Sequence, residues 1–178
     1  MSTIKAPHIF QRMDQYELAY CLCFNRICRL PQITRLFAAI SRLGDGVFWY
    51  TLMLILPMMR GEQGLMASLH MLMVGSIALL IYKGLKGRME RPRPFNTHEG
   101  IYIYTAPLDH YSFPSGHTLH AIGFTIIAVG YFPELAWLLV PFTALVALSR
   151  VVLGLHYPTD VLAGAAIGTT IAVVSWSI

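Results

Sequence analysis

Five stretches of this chain, residues 44–59, 65–82, 118–132, 135–152 and 161–178, carry almost no charge; only Asp45 and Arg150 interrupt them. A helix needs about 20 mostly apolar residues to cross a bilayer core, so extensions across Ser41 and Leu155 are expected for the shorter runs. Pro57, Gly61 and Gly64 separate the first two runs and Pro133 separates the next pair, as turn residues should. A soluble bundle would need polar faces at helical spacing, and these runs have nearly none. Only 12% of the residues are charged, roughly half the ~25% usual for a soluble domain. The expectation is a single all-α domain over residues 1–178. It is a polytopic membrane bundle of about five to six transmembrane helices plus an N-terminal interfacial helix.

The N-terminal segment, 1–40, differs. Between 14 and 29, Leu18, Cys21, Leu22 and Ile27 alternate with Asp14, Glu17, Arg26 and Arg29, which is too polar to span. The segment reads as an amphipathic helix lying in the interface until Pro31 stops it. No apolar stretch followed by a small-residue cleavage site is visible, so the first spanning helix is expected to serve as its own insertion signal. Cys21, Cys23 and Cys28 all fall in this segment. Their odd number and the lack of a fourth ligand nearby argue against zinc. The excess of +4 charges includes no basic run separable from apolar sequence, so nucleic acid is not an expected partner.

The unusual polar residues concentrate at four helix ends. Lys86 and Arg93 follow the second run, Pro114-Ser115-Gly116-His117 precede the third, Ser149-Arg150 close the fourth, and His156 and Asp160 open the fifth. With alternating helix direction, these four ends share one membrane face. The whole of 83–117 then forms an active-site loop, since a connection of this length in a small domain is more often functional than idle. Taken singly, each residue has a plain explanation as a snorkelling cation, a cap or a dipole partner. Arg150, inside an apolar run, is harder to dismiss. Together, three cations and a glycine-containing helix start make a site for a dianion, most naturally phosphate. Two histidines supply a nucleophile and a proton donor, and a carboxylate fixes one ring's tautomer. Metal competes for the His/Asp pair, but the surrounding cations would repel a dication; no metal or other cofactor is expected.

Lys86-(six residues)-Arg93-Pro94, then Pro114-Ser115-Gly116-His117, then Ser149-Arg150-(five residues)-His156-(three residues)-Asp160 resembles the three-part signature of the type 2 phosphatidic acid phosphatase (PAP2) superfamily. The resemblance implies a metal-independent membrane phosphatase acting through a phosphohistidine. It implies that His156 attacks phosphorus, that Asp160 orients its ring and that His117 protonates the leaving oxygen. Lys86, Arg93 and Arg150 hold the phosphate oxygens, with Ser115 and the backbone N–H of Gly116. Ser149 has a supporting role. The implied substrate is a lipid phosphate or pyrophosphate: undecaprenyl pyrophosphate, phosphatidylglycerophosphate, phosphatidic acid and lipid A 1-phosphate all fit.

Outside the signature, Arg42 and Asp45 are expected to pair with each other rather than reach the headgroup, and His70 and His120 to be satisfied interior histidines; for Asp109, His110 and Tyr111 contact with substrate is the lesser of two readings. A phosphotransferase using the same histidine and a non-enzymatic lipid transporter are the competing functions, and the oligomeric state stays open. The expected location is the bacterial inner membrane with the site facing the periplasm. The charge pattern opposes that orientation: of 13 Lys and Arg, only Arg60 falls on the face away from the site, and cations favour the cytoplasmic side.

Overall fold

The computed structural model describes residues 8–105, 107 and 109–177. Residues 1–7 of the N-terminal segment, Ala106 and Leu108 of the loop, and Ile178 of the last run lie outside the described residues. Among those described there is no strand. The chain is an all-α membrane bundle, as expected.

Helix α1 (His8–Asn25) ends in a 3₁₀ turn, Arg26–Arg29. Pro31 does more than stop α1. It takes the first position of α2 (Pro31–Arg42), where a missing N–H is harmless and a fixed φ is useful. The continuous helical unit that contains the first apolar run begins at Pro31, ahead of residue 44. Arg35 and Arg42 are exposed on α2, beside an apolar face that packs on the later helix α6. A π-turn, Leu43–Val47, with Gly46 at φ 125°, carries α2 into α3 (Phe48–Lys86).

Helix α3 is two arms. At Gly61 the backbone takes φ 57° and ψ −134°, a conformation open to glycine, and the chain turns back on itself. Pro57 has no N–H to offer the carbonyl of Met53 one turn earlier. Ser68 Oγ on the returning arm donates to that carbonyl at 2.7 Å, so a buried acceptor that proline would orphan is satisfied across the hairpin.

The single turn α4 (Pro94–Thr97) lies in the loop; α5 (Gly116–Tyr131), α6 (Ala136–Val152) and α7 (Pro158–Ser175) complete the bundle. Among the described residues, three helices are long and apolar enough to cross a membrane: the bent Pro31–Lys86 unit, Pro133–Val152 and Pro158–Ser175. Helix α5 is shorter but central, packed on α3, α6 and α7. Its contact with α7 is close: a Cβ at Gly168 would stand 2.3 Å from the carbonyl oxygen of Leu119. Glycines four apart, Gly164 and Gly168, let two backbones meet as membrane helices commonly do. Trp49, Met71, Val74, Leu119, Ile127 and Val146 fill the core, while Trp137 (90% exposed) and Met58 (85%) stand on the outer surface.

Candidate active site

At one end of the bundle the end of α3, the loop after it, and the starts of α5 and α7 meet the end of α6. Tyr157 caps α7, and Asp160 Oδ2 accepts the Tyr157 N–H at 2.8 Å, a capping box that ties the Asp160 side chain to the helix start. The loop from Leu153 folds back because the N–H groups of Leu155 and His156 both reach the carbonyl of Arg150 at 3.0 Å. His156 is thereby set between Asp160 and the cations. Its Nδ1 faces Asp160 Oδ2 at 3.7 Å, and among the described residues Nδ1 has no hydrogen-bond partner. Its Nε2 lies 3.3 Å from an NH1 of Arg93. Guanidinium only donates, so Nε2 carries the lone pair and the ring proton belongs on Nδ1, toward the carboxylate. Burial first, then the charges of Arg93, Arg150 and Lys86, hold the His156 imidazole well below its ordinary range. It is neutral at pH 7.

The three cations expected to bind phosphate are all buried. Arg93 is anchored by NH1 to the carbonyl of Leu155 at 2.8 Å and by NH2 to Asp109 at 2.7 Å. Lys86 Nζ is 2.5 Å from the same Asp109 oxygen and donates to Tyr82 Oη at 2.6 Å. Tyr82 in turn donates to the other Asp109 oxygen. Burial works to raise the Asp109 carboxyl, but the hydrogen bonds from Lys86 and Tyr82 and the charges of Lys86 and Arg93 outweigh it and hold the group below its usual value. Arg150 donates to Ser41 Oγ on α2, and its Nε has no partner among the described residues.

His117 starts α5 with Nε2 at 3.3 Å from Asp45 Oδ1. The expected Arg42–Asp45 pair does not form, because the π-turn carries Asp45 to His117 while Arg42 stays on the exposed side of α2. Ser115 holds the geometry through its backbone, whose N–H donates to the Asp160 carbonyl at 3.0 Å; its hydroxyl pairs with Thr118 at 3.0 Å. At Gly116, a Cβ would stand 2.7 Å from the Tyr82 ring, so the missing side chain makes room for the tyrosine that supports Lys86 and Asp109. Ser149 bonds within its own helix, to Val146. His70 meets Ser175 at 2.8 Å and His120 the Gly116 carbonyl at 2.9 Å, both satisfied as expected.

The sequence reading passed over Arg91, Asp14 and Glu17. Arg91 is fully buried and makes ion pairs of 2.6 Å with Asp14, Glu17 and Asp160. The signal available was the three-residue spacing of the two acids, which puts them on one helix face, next to an unassigned arginine in Arg-Pro-Arg-Pro. Beside His117, a cavity of about 300 Å³ opens between the two arms of α3 and α5, walled by Trp49, Met53, Leu72, Gly75 and Phe124. Among the described residues no group of His, Cys, Asp and Glu is arranged to hold a metal ion.

A PAP2 superfamily model matches residues 65–178. The chain is 29% identical over 160 residues to an undecaprenyl-diphosphatase of Sulfolobus acidocaldarius, covering 89% of this chain and 75% of that protein. It is 32% identical over 164 residues to phosphatidylglycerophosphatase B of Bacillus subtilis, covering 80% and 73% respectively. The crystal structure of a transmembrane PAP2-type phosphatidylglycerolphosphate phosphatase from Bacillus subtilis superposes with a TM-score of 0.74 at 27% identity, over 96% of this chain and 86% of that one. LpxE of Aquifex aeolicus shares the fold, with a TM-score of 0.77 over 90% of this chain and 94% of that one, at 24% identity. The fold is thus that of a membrane-embedded helical phosphatase. The chain belongs to the PAP2 superfamily.

Proposed function

We propose that the protein hydrolyses a lipid phosphate or pyrophosphate through a phosphohistidine on His156, without a metal ion. The observation that carries this is the placement of the His156 ring, with Nε2 3.3 Å from Arg93 and Nδ1 3.7 Å from a buried carboxylate. Nε2 attacks phosphorus, the bond from phosphorus to the leaving oxygen breaks, and His117, protonated once the substrate's negative charge offsets the nearby cations, gives that oxygen its proton. Asp160 stabilises the charge that develops on the His156 ring. Water then attacks the phosphohistidine, passing a proton to His117, and inorganic phosphate leaves. Lys86, Arg93 and Arg150 stabilise the charge on the equatorial oxygens throughout, and the N–H of Gly116 stands at the start of α5.

The apolar cavity beside His117 lies on the leaving-group side, where a lipid tail attached to that oxygen would lie. Relatives named for undecaprenyl diphosphate, phosphatidylglycerophosphate and lipid A 1-phosphate support this substrate class. The test is phosphate release by purified protein across a panel of these lipids, with His156→Ala as the blank. Wild-type release from at least one lipid, lost in the variant, supports the reading. Phosphate recovered on a second lipid would indicate a phosphotransferase, and activity surviving His156→Ala in a transport assay would indicate a transporter.

We place the protein in the bacterial inner membrane with the site on the periplasmic side. A Glu99→Cys variant decides the side: labelling by an impermeant reagent in intact cells supports it, and labelling only after lysis reverses it.

A further inference from the structure

The catalytic carboxylate is not held by α7 alone. Arg91 NH1 donates to Asp160 Oδ1 at 2.6 Å and to Thr159 Oγ1 at 2.8 Å. Its NH2 donates to Asp14 and Glu17, both at 2.6 Å, and its Nε to Asp14 at 2.9 Å. The guanidinium lies over the Tyr157 ring, 4.1 Å from the centroid. Glu17 also reaches the first turn of α7 directly, accepting the N–H and the hydroxyl of Thr159, both at 2.7 Å. Helix α1 is therefore clamped to the start of α7 through one side chain and one arginine fork. The matched family region begins only at residue 65, so both acids lie outside it.

We propose that Arg91 is a positioning residue that fixes the Asp160 carboxylate behind His156, and that through it the N-terminal helix α1 becomes part of the catalytic apparatus. This rests on the reading of His156 as nucleophile. With Oδ1 taken by Arg91 and Oδ2 by the Tyr157 N–H, the carboxylate cannot rotate, and the lone pairs left on Oδ2 face His156 Nδ1. The charge balance argues for more than a structural joint. Three carboxylates surround one guanidinium out of water, and a buried ion cluster is by itself weak support for stability. Without Arg91, Asp160 would sit among anions and could no longer be held as the ionised partner of the imidazole.

Two measurements test this on the purified, full-length protein. In phosphate release, Arg91→Gln is expected to lower kcat about 100-fold, the scale of a misplaced catalytic group, with KM nearly unchanged. Arg91→Lys, which restores charge but not the fork, recovers part of kcat. The double variant Arg91→Gln/Glu17→Gln, which removes one surplus anion and keeps the acceptor for Thr159, exceeds Arg91→Gln alone. A purely structural joint predicts the reverse for the double variant, and that result, or an unchanged kcat in Arg91→Gln, overturns the proposal. If Arg91→Gln does not fold, Asp14→Asn takes its place: lowered kcat at constant KM supports the proposal, and wild-type kcat overturns it. The second measurement needs no turnover. In ¹⁵N-histidine NMR, with the signal assigned by its loss in His156→Ala, wild type shows Nδ1 protonated and Arg91→Gln (or Asp14→Asn) a mixture of tautomers. An unchanged tautomer overturns the role of Arg91. Failure of wild type to release phosphate from any lipid would count against the phosphatase reading while leaving this measurement to decide the other.

Discussion

Asp109 stands against Lys86: one carboxylate oxygen is 2.5 Å from Nζ and, at 2.7 Å from Arg93, bridges the two cations. That is the position and spacing a phosphate oxygen would take in the proposed clamp. The carboxylate stays ionised at neutral pH because its partners hold it below its usual range. Under the proposed function, substrate therefore displaces an internal anion to enter. Asp109→Asn is expected to lower KM by about two- to fivefold, the range for one partly exposed charge pair worth up to about 1 kcal/mol, with phosphate inhibiting more strongly as well. A raised KM would show instead that Asp109 organises the clamp.

His156→Ala is expected to remove phosphate release to background. His117→Ala should lower it by about 10²–10⁴-fold, the usual worth of a general acid. Because the cations remain, His117→Ala should still bind a lipid phosphate, measured as protection from thermal unfolding. Saturating EDTA should leave wild-type activity intact; its loss would reject a metal-independent step.

Asp45 lies 3.3 Å from His117. If it keeps that ring ready to give a proton, Asp45→Asn lowers kcat for lipid substrates by about tenfold. The defect should shrink for an aryl phosphate, whose leaving oxygen needs no proton. An equal loss on both substrates would place Asp45 in binding instead.

Gly168→Ala would push a methyl group to within 2.3 Å of the Leu119 carbonyl, a backbone atom that cannot swing aside. Separation of α5 from α7 would cost about 1–3 kcal/mol, read as earlier thermal inactivation in detergent. Because Ser115 is fixed to Asp160 across the same seam, activity should fall before the fold is lost.

The four helix ends bearing Lys86, His117, Arg150 and His156 were legible in the sequence because charge is scarce in apolar runs and helix direction alternates. Satisfied interior roles for His70 and His120 followed from the same scarcity. Asp45, Tyr82 and Arg91 were not legible as partners. Asp45 reaches His117 only through a π-turn around Gly46, and Tyr82 reaches Lys86 only because Gly116 leaves it room. Asp14 and Glu17 meet Arg91 across 77 and 74 positions of chain, and helical periodicity carries no information at that range. The polar character that marked the N-terminal segment as interfacial is spent in part inside the protein.

The hairpin in α3 has a mechanical consequence. Its arms are fastened near Gly61, where Gly64 lies against the Leu56 carbonyl and Ser68 bonds to Met53. At the opposite end, beside His117, they part around the cavity. The arrangement is that of tweezers gripped at the hinge. Spreading the tips to admit a thicker hydrocarbon chain breaks none of the bonds at the fastened end. Under the proposed function, the width between the tips, lined by Trp49, Leu72, Gly75 and Phe124, sets the girth of tail that fits beside His117.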